Sequence, residues 1–144
     1  MSNDGMTNPD PRAGNGRAGR QYDLAERTAK FGEAVIDFAL DLPRNPVVNP
    51  LVSQIVRSAT SVGANYCEAD DAVSKKEFLL KIGTCRKESR ETQFWLRMIA
   101  RAAPVAKEKA RPLYKEAGEL HRIFSAIRRR GLGVPNPKPP GPKG

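Results

Sequence analysis

Apolar side chains recur at three- and four-residue intervals along most of this chain, in four runs, the first parted from the second and the third from the fourth by proline, and nowhere with a period of two. The first run opens at Asp23, with Glu26 three residues on, a pair suited to capping the free amides of a helix start. Leu24, Phe31, Val35, Phe38 and Leu42 follow on one face, and Pro43 ends the run. The segment Arg44-Asn45-Pro46-Val47-Val48 is expected to be a non-helical linker. A second helix is predicted from Asn49 as cap, with Pro50 at its first position, to about Asp70. Leu51, Ile55, Ala59, Val62, Tyr66 and Ala69 form its stripe.

The third run opens on a further capping pair, Ser74 and Glu77. Phe78, Ile82, Cys85, Ser89, Thr92, Leu96 and Ile99 then keep the narrow 3-4 seam of a bundle helix, up to Pro104. A fourth helix is expected from Val105 to Arg130, with Leu113, Tyr114, Ala117, Leu120, Phe124 and Ile127 facing inward and Gly131 or Gly133 closing it. Four such helices with short connections predict an all-α, antiparallel, up-down four-helix bundle over residues 22–131. Residues 1–21 are polar and glycine-rich, and residues 132–144 are proline-rich; both are expected to be disordered tails.

Composition adds one strong feature. Of 144 residues, 25 are Lys or Arg and 16 are Asp or Glu, a formal net charge of +9. The excess is segregated. The first two predicted helices are net −3 and −2, while the third and fourth each carry eight basic residues against three glutamates. A basic hairpin can track phosphates and release counterions, or meet the acidic hairpin of a neighbouring copy in a heterologous contact. No run approaches the roughly 18 apolar residues of a membrane span. Cys67 and Cys85 have no CxxC spacing and no signal-like segment precedes them, so a reducing cytoplasm is expected. With the second and third helices antiparallel, the two cysteines are offset by roughly 10 Å, too far for a disulfide, and both are expected to be packed thiols.

The same register brings Arg57 to the height of Glu88, and an ion pair between them is expected to fix the hairpin's register. Arg57, Ser61, Ala64 and Glu68 form a small and polar edge on one helix, and Glu88, Glu91, Trp95 and Met98 form a second edge on the next. For catalysis the chain offers little. It has one histidine, His121, and no Walker loop, GxSxG or HExxH pattern, and a di-iron bundle would need Glu-x-x-His on two helices. A non-enzymatic protein without cofactor or metal is expected, with His121 on the surface or at a subunit contact.

Two stretches carry a family resemblance. Ile55-Val56-Arg57-Ser58-Ala59-Thr60-Ser61-Val62-Gly63-Ala64-Asn65-Tyr66-Cys67-Glu68-Ala69 resembles the second-helix signature of the bacterial four-helix-bundle proteins named after intervening sequences of 23S ribosomal RNA genes. Lys76-Glu77-Phe78, Lys81-Ile82, Arg86-Lys87-Glu88-Ser89-Arg90-Glu91-Thr92 and Phe94-Trp95-Leu96 resemble that family's third helix. The resemblance implies a homopentameric ring, and a likeness in fold to the accessory variability determinant of diversity-generating retroelements, a basic pentamer that binds nucleic acid and works with a reverse transcriptase. Carried over on the matching positions, Asn65, Glu68, Glu88 and Glu91 are structural or interface residues, and Arg57 and Trp95 join them from their places on the two polar edges. The expected nucleic-acid contacts are Lys75, Lys76, Lys81, Arg86, Lys87 and Arg90 on the third helix and Arg111, Lys115, Arg122, Arg128, Arg129 and Arg130 on the fourth. With aromatics few and Trp95 expected to be packed, phosphate contacts are expected rather than base readout. The alternatives are a protein-interaction scaffold, or an oligomer whose charge serves only solubility.

Overall fold

Capping groups and prolines set several of the helix limits. The computed structural model describes residues 16–135 and residue 141, with side chains from Leu24 onward. These residues form four long helices: α1 (Gly16–Leu40), α2 (Val48–Asp70), α3 (Lys75–Ala102) and α4 (Lys107–Leu132). A 3₁₀ turn over Pro104–Ala106 joins the last two, and no strand occurs among the described residues. None of the helices among them is long and apolar enough to cross a membrane.

Two helix starts differ from the sequence expectation. α1 begins at Gly16, so Asp23 lies inside it and residues 16–21 belong to a helix rather than to the N-terminal tail. Residues 17–22 hold no proline, and extending an anchored helix adds one hydrogen bond per residue without a new nucleus. Residues 1–15 of that tail, and residues 136–140 and 142–144 of the proline-rich one, lie outside the described residues. α2 also begins early, at Val48. Its cap is not Asn49 but Asn45, whose Oδ1 accepts from the backbone amides of Val47 and Val48, both at 2.9 Å. Pro50 then falls in the first turn of α2, where its fixed φ suits the helix.

The other two starts lie close to expectation. Ser74 Oγ accepts from the Glu77 amide at 3.1 Å, and Glu77 reaches back to the Val73 amide at 3.2 Å. α4 ends at Leu132 with Gly133 in the left-handed conformation (φ 74°), where a residue without Cβ is unstrained, so Gly133 rather than Gly131 closes the helix.

The apolar stripes meet in one core. Val35, Ile55, Val62, Ile82, Leu96, Ile99, Leu120 and Phe124 are all but fully buried. Tyr66 of α2 tilts onto Phe124 of α4 with ring centroids 6.0 Å apart. Tyr114, expected in this core, is 46 % exposed. The inward face of α4 runs through Ala110, Ala117, Leu120 and Phe124, and Tyr114 lies one position off that line.

The buried hydroxyls are all bonded, as burial requires. Ser58 Oγ lies 2.9 Å from Thr92 Oγ1. Thr28 donates to the Leu24 carbonyl and Ser89 to that of Cys85, both at 2.8 Å. Contacts between α2 and α3 pair residues whose numbers run in opposite senses: Ser58 with Thr92, Val62 with Cys85, Glu68 with Lys81. α1 leans mainly on α2, and its seam with α4 is thin, closed by the two-pronged Arg27–Glu116 pair at 2.7 and 2.9 Å.

Candidate nucleic-acid interface

The two seams along α3 have opposite electrostatic character. On the α2 side, charges are matched. Arg57 Nη1 lies 3.2 and 3.3 Å from the two carboxylate oxygens of Glu88. Its Nη2 engages Glu91, which also accepts from Trp95 Nε1 at 3.0 Å. Two residues beyond Tyr66, Glu68 pairs with Lys81 at 2.6 Å, and this contact raises the ammonium pKa of Lys81. Asn65 turns inward on its own helix, donating to the carbonyl and hydroxyl of Ser61, both at 2.9 Å. The residues read as structural from the sequence therefore lie along one seam, and Lys81, read as a nucleic-acid contact, is engaged there too.

On the α4 side, most cations are unmatched, Arg111 and Arg122 being the exceptions. The three glutamates of α4 are directed elsewhere: Glu116 to Arg27 of α1, Glu108 to Arg111, and Glu119 to Arg122, which lowers the Glu119 carboxyl pKa. Among the described residues Arg86, Arg90, Arg97, Lys107, Lys115, Arg128, Arg129 and Arg130 form no ion pair. Arg86 is the extreme case. Its Nε is buried with no hydrogen-bond partner.

Local sequence makes this seam close. Gly118 of α4 lets Gln93 of α3 lie across it and donate to the Tyr114 carbonyl at 3.1 Å; a Cβ there would sit 2.8 Å from Gln93 Nε2. Gly131 does the same for Leu79, at 2.3 Å from a would-be Cβ. His121 Nδ1 lies 3.0 Å from the Arg86 carbonyl, so the single histidine is a helix–helix tie within the chain rather than a free surface group.

Near the α3 C-terminus the seam opens into a groove of about 430 Å³. Leu96, Ala100 and Ala110 line its apolar part, Tyr114 stands beside them, and Arg97, Lys107, Arg111 and Lys115 bring four cations and no carboxylate to its lining. A second groove of about 340 Å³, between α1 and α4, mixes both signs through Glu26, Arg27, Lys30 and Glu116.

The expected nucleic-acid residues thus divide. Arg86, Arg90, Arg111, Lys115 and Arg128 belong to the α3–α4 side; Arg111 shares its charge with Glu108 and Arg122 with Glu119. Lys75, Lys76 and Lys87 are exposed, the first two at the start of α3, and Arg129 and Arg130 close α4. Sequence reasoning missed Arg97, Lys107 and the groove role of Tyr114. Spacing held a signal for Arg97, four and seven residues being the intervals that link Arg86, Arg90 and Arg97 on one helix face. The cysteines divide as well. Cys85 is buried and donates to the Val62 carbonyl at 3.5 Å, but Cys67, expected to be packed, is exposed.

The family model of the 23S rRNA-intervening sequence protein matches residues 20–126. The chain belongs to that family. A crystal structure of a protein of unknown function from the S23 ribosomal protein family of Bacteroides thetaiotaomicron VPI-5482 is similar in fold. It has a TM-score of 0.66 and 24 % identity, and the match covers 76 % of this chain and 97 % of that one. No curated protein matches this family member. The α2–α3 seam, with its Arg57, Asn65, Glu68, Glu88 and Glu91, lies wholly inside the matched segment, as does the groove.

Proposed function

We propose that this protein is a non-catalytic, basic, antiparallel four-helix bundle that binds RNA or DNA through its phosphates along the α3–α4 seam. The observation that carries this reading is the asymmetry of the two seams. Carboxylates answer the cations on the α2 side, and none lines the groove on the α4 side. Unmatched guanidinium and ammonium groups arrayed on one face favour a polyanion, whose counterions they displace. The descending order of the α2–α3 contacts supports the antiparallel topology.

The reading includes assembly. A homopentameric ring, as the family resemblance implies, fits the segregation of charge: acidic α1 surface on one subunit, basic α3 surface on the next. Ile36 and Leu40 of α1, and Leu80 and Phe94 on the outward face of α3, are exposed apolar side chains suited to that contact. Five copies of +9 would give the ring a charge of +45, a strong field for nucleic acid at low salt. In this reading the protein serves as accessory to a reverse transcriptase of a diversity-generating retroelement.

The test is fluorescence-anisotropy titration against labelled RNA and duplex DNA over a salt series, with mass from light scattering in the same buffers. Tight binding at low salt by an oligomer, with log Kd linear in log salt, is expected. Absence of binding at low salt by a clean oligomer would replace this reading with that of a protein-interaction scaffold, for which the exposed Leu80 and Phe94 on α3 are the supporting observation.

A further inference from the structure

We infer that the groove at the α3 C-terminus takes a nucleobase against the ring of Tyr114, so that the strand this protein prefers is single-stranded. This rests on the phosphate-binding reading and adds base contact to it. Four observations converge. The groove has an apolar floor, Ala100 with the nearly buried Leu96 and Ala110, which a phosphate alone would leave unused. Tyr114 stands in it with 46 % of its surface exposed, on a helix whose other large apolar side chains are more deeply packed up to its last turn. Its backbone is held, because Gln93 crosses the seam at Gly118 to donate to the Tyr114 carbonyl at 3.1 Å. Cations and no carboxylate complete the lining.

That combination matches one chemistry, a flat, weakly polar ring with an anionic group on either side. A volume of about 430 Å³ lies within the range of roughly 300–1,000 Å³ typical of small-molecule sites. Lys107, Arg111 and Lys115 follow one another at four-residue steps, about 6 Å along the helix axis, comparable to one nucleotide of an extended strand; Lys107 and Lys115 form no ion pair among the described residues, and Arg111 shares its charge with Glu108. In duplex the bases are stacked on one another and their faces are unavailable. A single strand can turn one base onto the tyrosine, and aromatic stacking of this kind tolerates any base. An acidic peptide would satisfy the cations but leave the tyrosine face and the apolar lining without a planar partner.

The experiment compares a short labelled oligothymidylate with a base-free deoxyribose-phosphate strand of equal length, at one salt concentration, on the full chain. Wild type is expected to bind the base-bearing strand about tenfold more tightly, the order of one stacked base. Y114F keeps that preference and Y114L loses it, while all three proteins bind the base-free strand alike, which also shows that the variants are folded. Equal affinity of wild type for both strands, or a preference surviving in Y114L, overturns base stacking and leaves the phosphate reading in place. Polyglutamate displacing the base-bearing strand as readily as the base-free strand does would reassign the groove to an acidic protein segment. Failure of wild type to bind either strand overturns both readings together.

Discussion

Arg57 of α2 reaches both carboxylate oxygens of Glu88 of α3 from a single guanidinium nitrogen, at 3.2 and 3.3 Å. Glu88 is the more enclosed partner, 18 % exposed at its side chain against 47 % for Arg57. Water therefore screens the pair in part, and its coupling is expected near the level of exposed pairs, about 0.5–1 kcal/mol. Glu91 shares the same guanidinium, so R57E places three carboxylates together. R57E alone should lose more stability than E88R alone, and the double exchange should recover most of the R57E loss. Urea denaturation of the four proteins measures this, and additive losses would deny the pairing.

Asn45 caps α2 from three residues before its first helical residue, bonding two amides with one oxygen. N45A is expected to cost about 1 kcal/mol, and N49A, at the position marked by sequence, close to nothing. A larger loss in N49A than in N45A would reverse this assignment.

Phe124 is fully buried and meets Tyr66 across the core. F124A should destabilise the chain by about 3–5 kcal/mol, the usual cost of a cavity where an aromatic ring is removed. Y114A, on the groove surface, should stay within about 1 kcal/mol of wild type in the same thermal or urea unfolding measurement.

Burial pushes the Cys85 thiol up from its ordinary 9.0 to about 12, and the Tyr66 hydroxyl, which also faces Asp70, up from 10.0 to about 12. In both groups the neutral form is the one the fold favours. Their contribution is complete below about pH 9 and is lost as pH rises toward about 12, since there the unfolded chain releases protons that the folded chain retains. Unfolding midpoints should fall over that interval. At pH 8 a thiol reagent should modify one cysteine per native chain, the exposed Cys67, and two in denaturant. Rapid modification of both in the native protein would contradict the burial of Cys85.

Arg97 and Lys115 line the groove without ion pairs. R97Q and K115Q should each reduce the slope of log K against log salt by about one and weaken binding to all sequences alike. K81Q, which removes a cation already answered by Glu68, should leave the slope unchanged. Titration across a salt series distinguishes them, and equal effects of all three would erase the distinction between the two seams.

Much of this was legible before any coordinates. The 3-4 spacing of Ile82, Cys85, Ser89, Thr92, Leu96 and Ile99 named the buried face of α3, hydroxyls included, because a helix repeats every 3.6 residues whatever it packs against. Ser74 and Glu77 marked its start, since the free amides of a first turn are answered locally. Tyr114 was misjudged because an aromatic at stripe spacing looks the same at the edge of the buried arc as at its centre. Asn45 was missed because an asparagine before a proline serves equally well as a turn residue.

By itself, then, the sequence determined four helices, their inward faces, the segregation of charge between two hairpins and the membership signatures on α2 and α3. Only the tertiary structure decided which charges are answered. Lys81 and Lys115 are indistinguishable as basic residues on basic helices, yet one lies 2.6 Å from Glu68 and the other lines a groove without a carboxylate. Periodicity fixes the rotation of a helix about its own axis to within a residue or so. An ion pair is settled within 4 Å, by the rotation and axial register of two helices together, and that is fixed by how their cores interlock.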